Sequence, residues 1–200
     1  LKEEWGDFDA YLGAMTSKYR VRARRARKKG ISLERREMQL EELEDRQQQM
    51  FAYYQGIARQ SDFNTVVLPA NYFVEWKRQF ADHFKVWGYF KEENFVGFST
   101  AIYNDHELEA HFLGFDQSYN SSHQLYLNML YDLVTEAIAS SSRQLVFSRT
   151  ALEIKSSVGA VPQDLQCWVR SRVGIAKPLV PIVARFIAPL PNWVQRHPFK

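Results

Sequence analysis

Phe84-Lys85-Val86-Trp87-Gly88-Tyr89-Phe90, followed by Lys91-Glu92-Glu93-Asn94 and then Phe95-Val96-Gly97-Phe98-Ser99-Thr100-Ala101-Ile102-Tyr103, is the stretch that decides the fold. Its apolar period is two, as in strands packed on one or both faces, and the polar quartet between the runs reads as a turn. Asn104-Asp105 is a second short turn, and His106 to Phe115 is a third strand. Three strands joined by such short turns form an antiparallel meander, because parallel neighbours need a crossover of a dozen residues or more.

Working outward, the period changes to that of helices. Ser122 to Ser140 places Leu125, Leu127, Leu130, Leu133, Val134 and Ile138 on one side and predicts a long helix. Leu145 to Ser148 is a short apolar strand reached through that helix, so it should run parallel to its neighbour. Thr150 with Glu153 makes a capping-box start for a short helix through Val158, which Gly159-Ala160-Val161-Pro162 breaks. Leu165 to Val173 reads as a last strand, and the proline-broken tail from Pro178 as a segment packed on the domain. On the other side of the meander, Asp7 or Asp9 caps a helix that starts near Phe8, continues through a basic run and stops at Gly30. Ile31 to Met38 alternates like a short strand. Gln39 to Arg59 is a helix buried through Leu40, Leu43, Met50, Tyr53, Tyr54 and Ile57, and Pro69 opens another that carries Tyr72, Phe73, Trp76 and Phe80. The order predicts an α+β domain with a mixed, mostly antiparallel central sheet and flanking helices. Residues 1–60 form an N-terminal helical arm of the same lobe, and residues 61–200 the sheet domain.

Composition excludes several classes. The 200 residues are 46% hydrophobic and 24% charged, which is globular rather than disordered. Cys167 is the one cysteine, so a disulfide-stapled secreted domain is excluded and a cytoplasmic location is expected. Its neighbours alternate, Leu165-Gln166-Cys167-Trp168-Val169, and it reads as a buried thiol. No apolar run reaches the roughly 18 residues of a membrane span. The net charge of +3 is unevenly spread. Lys18 to Lys29 holds eight basic residues and no acid; taking these from the 26 basic residues leaves 18 against 23 acidic, a net −5. Such asymmetry points to an anionic partner met by Arg20, Arg22, Arg24, Arg25, Arg27 and Lys28.

Two segments carry a family resemblance. Ser17-Lys18-Tyr19-Arg20-Val21-Arg22-Ala23-Arg24-Arg25-Ala26-Arg27-Lys28-Lys29-Gly30 is similar to the basic helix leading into the second lobe of FemAB-type and BioF2-like transferases. Leu145-Val146-Phe147-Ser148-Arg149-Thr150-Ala151-Leu152-Glu153-Ile154-Lys155-Ser156-Ser157-Val158-Gly159-Ala160 resembles a strand-to-helix segment of bacterial GNAT-like N-acyltransferases, with Ser148 in place of a glycine. The resemblance implies the GNAT fold and transfer of an acyl or aminoacyl group to an amine. The implied donors are acyl-CoA, acyl carrier protein or aminoacyl-tRNA, and a second GNAT-like lobe is expected upstream of Leu1. Within that superfamily, acetyl-CoA-using GNAT enzymes carry a glycine-rich pyrophosphate loop before the long helix, and FemAB-like enzymes lack a clean version of it. Here that loop reads Gly114-Phe115-Asp116-Gln117-Ser118-Tyr119-Asn120-Ser121-Ser122-His123, without a glycine pair and with an acid, which speaks against acetyl-CoA.

Acyl transfer to an amine needs a route for the amine proton, donors for the oxyanion, and alignment of the two substrates. Alternation puts Glu107, Glu109 and His111 on one face of the third strand, the strand expected to splay and admit the thioester. Glu109 and His111 are therefore candidate catalytic groups, the alternative being a solvated sheet face. Arg149, Glu153 and Lys155 follow the carboxyl end of a strand, where ligand crevices lie. Glu153 is a candidate base, whereas Arg149, Lys155 and the Ser121-Ser122 helix start are candidates for the donor's anionic part. No metal site is read from the sequence. The rival to an enzyme is a non-catalytic GNAT-like lobe that binds RNA, an acyl carrier protein or a partner lobe.

Overall fold

The computed structural model describes residues 1–60, 67–148, 150–164 and 193–199. The meander forms as read: β2 (Phe84–Lys91), β3 (Asn94–Asn104) and β4 (Glu107–Phe115) pair antiparallel, with Glu92 and Asp105 at positive φ in the two turns. β1 (Leu33–Glu37) adds to β2 antiparallel, and β5 (Gln144–Phe147) adds to β4 in parallel, giving the order β1-β2-β3-β4-β5. The helices are α1 (Phe8–Ala14), α2 (Ser17–Gly30), α3 (Leu40–Ala58), α4 (Tyr72–Phe80), α5 (Gln117–His123), α6 (Leu125–Ala139) and α7 (Leu152–Ser157). Residues 1–60 thus supply a strand and a sheet-covering helix as well as the basic helix.

Each sheet face buries a separate core. On one face Leu43, Met50 and Tyr54 of α3 and Phe73 and Val74 of α4 pack on Phe84, Val86 and Phe98. On the other, α6 is buried along Leu125, Leu127, Met129, Leu130, Leu133 and Val134, between the sheet and the helices α1 and α2. Burying each of those large side chains contributes about 1.5–3 kcal/mol, which is why so hydrophobic a helix lies inside. Gly114 lets α3 approach β4: a Cβ there would sit 2.6 Å from the Tyr54 backbone nitrogen.

Four helix expectations are corrected. The helix from Phe8 to Gly30 is two helices, because Met15 is extended and fully buried, bridged to Phe199, while the Thr16 N–H donates to the Pro198 carbonyl. Asp7 does cap α1, accepting from the Ala10 N–H at 2.7 Å. Gly30 is not a left-handed stop; it is the last residue of α2, and its missing side chain makes room for Asn128, whose Nδ2 would lie 2.5 Å from a Cβ. The long helix begins at Leu125 rather than Ser122, since Gln124 at φ 49° separates it from the short α5. The capping box does not form: the residue before α7 is Ala151 at φ 54°, and Glu153 pairs with Arg196 instead. The expected strand from Leu165, Cys167, Arg149 and most of the tail lie outside the described residues.

Candidate functional site

The geometry that could admit a substrate lies where β4 and β5 part. They pair from Glu107/Gln144 to Ala110/Phe147, while β4 runs on for five more residues. The parting coincides with a bulge. Ser99 faces Leu113 and Ala101 faces Ala110, so Thr100 opposes both His111 and Phe112. The bulge is pinned by Thr100, whose Oγ1 accepts from the Phe112 N–H and donates to the Phe112 carbonyl, both at 2.9 Å. As in other bulges, the strand is re-aimed, and neighbouring side chains share a face. His111 and Phe112 both contact the aromatic side chains of α4.

His111 is half-buried on that face. Its ring stacks on Trp76 at 4.5 Å and on Tyr72 at 5.8 Å, and Nε2 shares a 2.8 Å hydrogen bond with the Tyr72 hydroxyl. Burial lowers the imidazole pKa to about 4 and raises the Tyr72 hydroxyl to about 12. The imidazole is neutral at physiological pH. An imidazole near 4 is a poor base for an alkylammonium near 10, since a gap of about 6 units corresponds to roughly 8 kcal/mol. The pair is better suited to orienting a substrate by hydrogen bonding. Glu109 and Glu107, on the same strand, are exposed. Among the described residues no group of three or more His, Cys, Asp or Glu is placed to hold a metal ion. Tyr72 lies 39 residues from His111, so no local spacing signals the pair.

On the other side of the parting stands Lys155. It is 8% exposed, and its Nζ donates to the Ser148 carbonyl at 2.8 Å, just past β5. The Ser148 hydroxyl in turn donates to the Ala110 carbonyl, the last paired residue of β4. Burial lowers the Lys155 pKa to about 8. A group poised there is better matched to proton transfer near neutral pH than one at 4. The ammonium is also positioned by a strand end rather than by the Glu153 partner considered from the sequence.

Beyond β5 opens a cleft of about 690 Å³, lined by Lys18, Tyr19 and Arg22 of α2, Ala151 to Ile154, Trp193 and Arg196. Arg196 Nε lies 3.1 Å from Glu153, so the carboxylate read as a base is ion-paired and half-exposed. Lys18 and Arg22 leave the cleft cationic. The N-terminus of α6 is occupied by the chain itself: the Tyr126 N–H donates to Asn120 Oδ1. Ser121 and Ser122 lie in the last turn of α5, exposed, and do not begin α6; the Ser122 hydroxyl bonds Tyr119 and His123. Their anion-binding role as a helix start therefore has no geometric basis here.

The cations of α2 divide into sets. Arg27 is turned inward and salt-bridged to Asp132, which also accepts from the Tyr89 hydroxyl at 2.9 Å. Arg20 donates to the Gly13 carbonyl and Lys29 to the Ser121 carbonyl. Lys18 and Arg22 line the cleft, and Arg24, Arg25 and Lys28 are exposed.

No protein-family model and no curated protein sequence matches the chain. Among solved structures, an aminoglycoside acetyltransferase from an uncultured soil metagenomic sample, in complex with sisomicin, superposes with a TM-score of 0.53 at 10% identity, covering 71% of this chain and 98% of that one. A predicted acetyltransferase with acetyl-CoA from Clostridium acetobutylicum gives 0.53 at 9% identity, covering 70% and 96%. Glucosamine-6-phosphate N-acetyltransferase from Arabidopsis thaliana gives 0.50 at 8%, covering 69% and 97%. The fold is that of the GNAT acetyltransferases, an α+β architecture with a mostly antiparallel sheet.

Proposed function

We propose that the protein is an N-acyltransferase that moves an acyl or aminoacyl group from a phosphate-bearing donor to an amine at the parting of β4 and β5. One observation carries this reading: the two strands stop pairing at Ala110/Phe147, at a pinned bulge, within a GNAT fold. The structural neighbours named above are acetyltransferases, one a predicted acetyltransferase with acetyl-CoA and one an aminoglycoside acetyltransferase in complex with sisomicin, which supports an acyl-CoA donor and an amine acceptor. The donor's anionic part sits in the cleft against Lys18, Arg22 and Arg196; Arg149, read from the sequence for the same role, lies outside the described residues. Lys155 relays the proton, the Tyr72–His111 pair orients the acceptor, and Glu109 attracts its cationic form. The resemblance of α2 and of the β5–α7 segment supports, within this proposal, a member of the FemAB/BioF2-like group acting as the second of two lobes in the cytoplasm. In that group an acyl carrier protein or aminoacyl-tRNA is an equally suitable donor.

The rival is a lobe that binds without catalysing. The start of α6 favours it, because the Tyr126 N–H there is taken by Asn120 Oδ1 and is not free for a pyrophosphate. Titrating acetyl-CoA, acyl carrier protein and aminoacyl-tRNA against the protein separates the readings. Binding of one donor, weakened at least tenfold by Arg22→Glu, together with acyl transfer to an amine supports the enzyme. Binding without transfer supports the rival, and no binding of any donor by folded protein overturns both.

A further inference from the structure

The outward face of α2 is built differently from a solvated charge run. Its inward residues Ala23 and Ala26 are fully buried. Opposite them, Val21, Arg24, Arg25 and Lys28 recur at i, i+3, i+4 and i+7, so they form one stripe, and all four are exposed. Val21 is 56% exposed, and Ile31, just past the helix, is 84% exposed. At 1.5 Å per residue these two aliphatic side chains bracket the cations about 15 Å apart. Among the described residues no carboxylate pairs with Arg24, Arg25 or Lys28; the acid that meets α2, Asp132, is taken by Arg27 on the inner side.

Two polyanions could satisfy those charges, and the aliphatic residues choose between them. A nucleic acid would meet the cations and leave Val21 and Ile31 in water. A lipid surface takes both: headgroup phosphates face the cations while short apolar side chains enter the boundary with the acyl chains. We propose that α2 docks the protein on an anionic lipid surface, the helix lying in the plane of the interface. No described helix is long and apolar enough to cross a membrane, so the attachment is peripheral. The inference stands apart from acyl transfer, which uses the cleft side of α2.

Sedimentation of the full chain with vesicles tests it, using neutral phosphatidylcholine alone and phosphatidylcholine mixed with anionic phosphatidylglycerol. Binding is expected to the anionic vesicles only and to weaken with salt. Each cation near such a surface contributes about fivefold in affinity, so the triple variant Arg24→Gln, Arg25→Gln, Lys28→Gln should lose roughly 100-fold. The double variant Val21→Ser, Ile31→Ser should weaken vesicle binding several-fold but leave binding to single-stranded RNA unchanged. Unaltered thermal melting of these surface variants checks that each is folded. Absence of vesicle binding, equal binding to neutral vesicles, or indifference of vesicle binding to Val21→Ser, Ile31→Ser overturns the proposal; RNA binding alone would assign the face to nucleic acid.

Discussion

His111 and Lys155 are two ionisable side chains whose burial favours the neutral form, and each leaves a signature in stability against pH. The His111 pKa falls from 6.5 to about 4 on folding, so between those values the unfolded chain binds more protons than the native one. Stability should therefore rise with pH across that window. His111→Phe should flatten the rise by ~1–2 kcal/mol, read from urea midpoints at the two ends. The Lys155 pKa falls from 10.5 to about 8, so the same sign applies at higher pH: stability rises from about 8 to 10.5 and the burial penalty is fully present below 8. Lys155→Met should abolish that rise. If Lys155 also relays the proton, the variant loses transfer while retaining donor binding; unchanged turnover and pH profile would remove it from the mechanism. These residues also show what a sequence gives at this scale. His111 and Lys155 could be named from their places on a strand and past a strand end. That their environments shift both towards the neutral form could not, because Tyr72, Trp76 and Ser148 reach them only through the folded chain. Glu153 and Ser121-Ser122 were misread for the opposite reason: local spacing suggested caps, whereas Arg196 and the left-handed Gln124 redirected them.

At the scale of elements, the bulge in β4 is the feature on which the parting depends. Thr100→Val keeps the shape but removes both bonds to Phe112, leaving a partly buried N–H and carbonyl without that partner. A loss of about 1–3 kcal/mol is expected in denaturant unfolding, with a larger proportional loss of acyl transfer than of donor binding. Gly114→Ala tests the contact between α3 and β4. Its Cβ would meet the Tyr53–Tyr54 backbone, which cannot yield like a side chain, so ~1–3 kcal/mol and several degrees of melting temperature should be lost. The meander, β5 and the buried faces of α3 and α6 were legible because apolar period and turn residues agree there. The interruption at Met15 was not, since the residues that replace its helical bonds, Pro198 and Phe199, lie at the other end of the chain. The bulge was equally hidden, because one extra residue in an apolar strand barely disturbs its alternation.

For the whole molecule, Asp132 joins three parts: Arg27 from α2, Tyr89 and Arg35 from the sheet, and its own helix α6. Asp132→Asn should destabilise by about 2–4 kcal/mol, read as a cooperative fall in unfolding midpoint, because it leaves two partly buried guanidinium groups short of charge. Arg27, counted from the sequence among cations for an external partner, is thus committed to the interior. The same joint makes α2 a fixed part of the body rather than a tether: Asn128 bonds the Ala26 carbonyl and fills the space beside Gly30, and α6 begins ten residues after β4 ends. A partner on the outer face of α2 and a donor in the cleft therefore grip adjoining faces of one rigid strut. Thermodynamic reciprocity then sets a rule for both: whatever factor surface attachment adds to donor affinity, a bound donor adds to surface attachment.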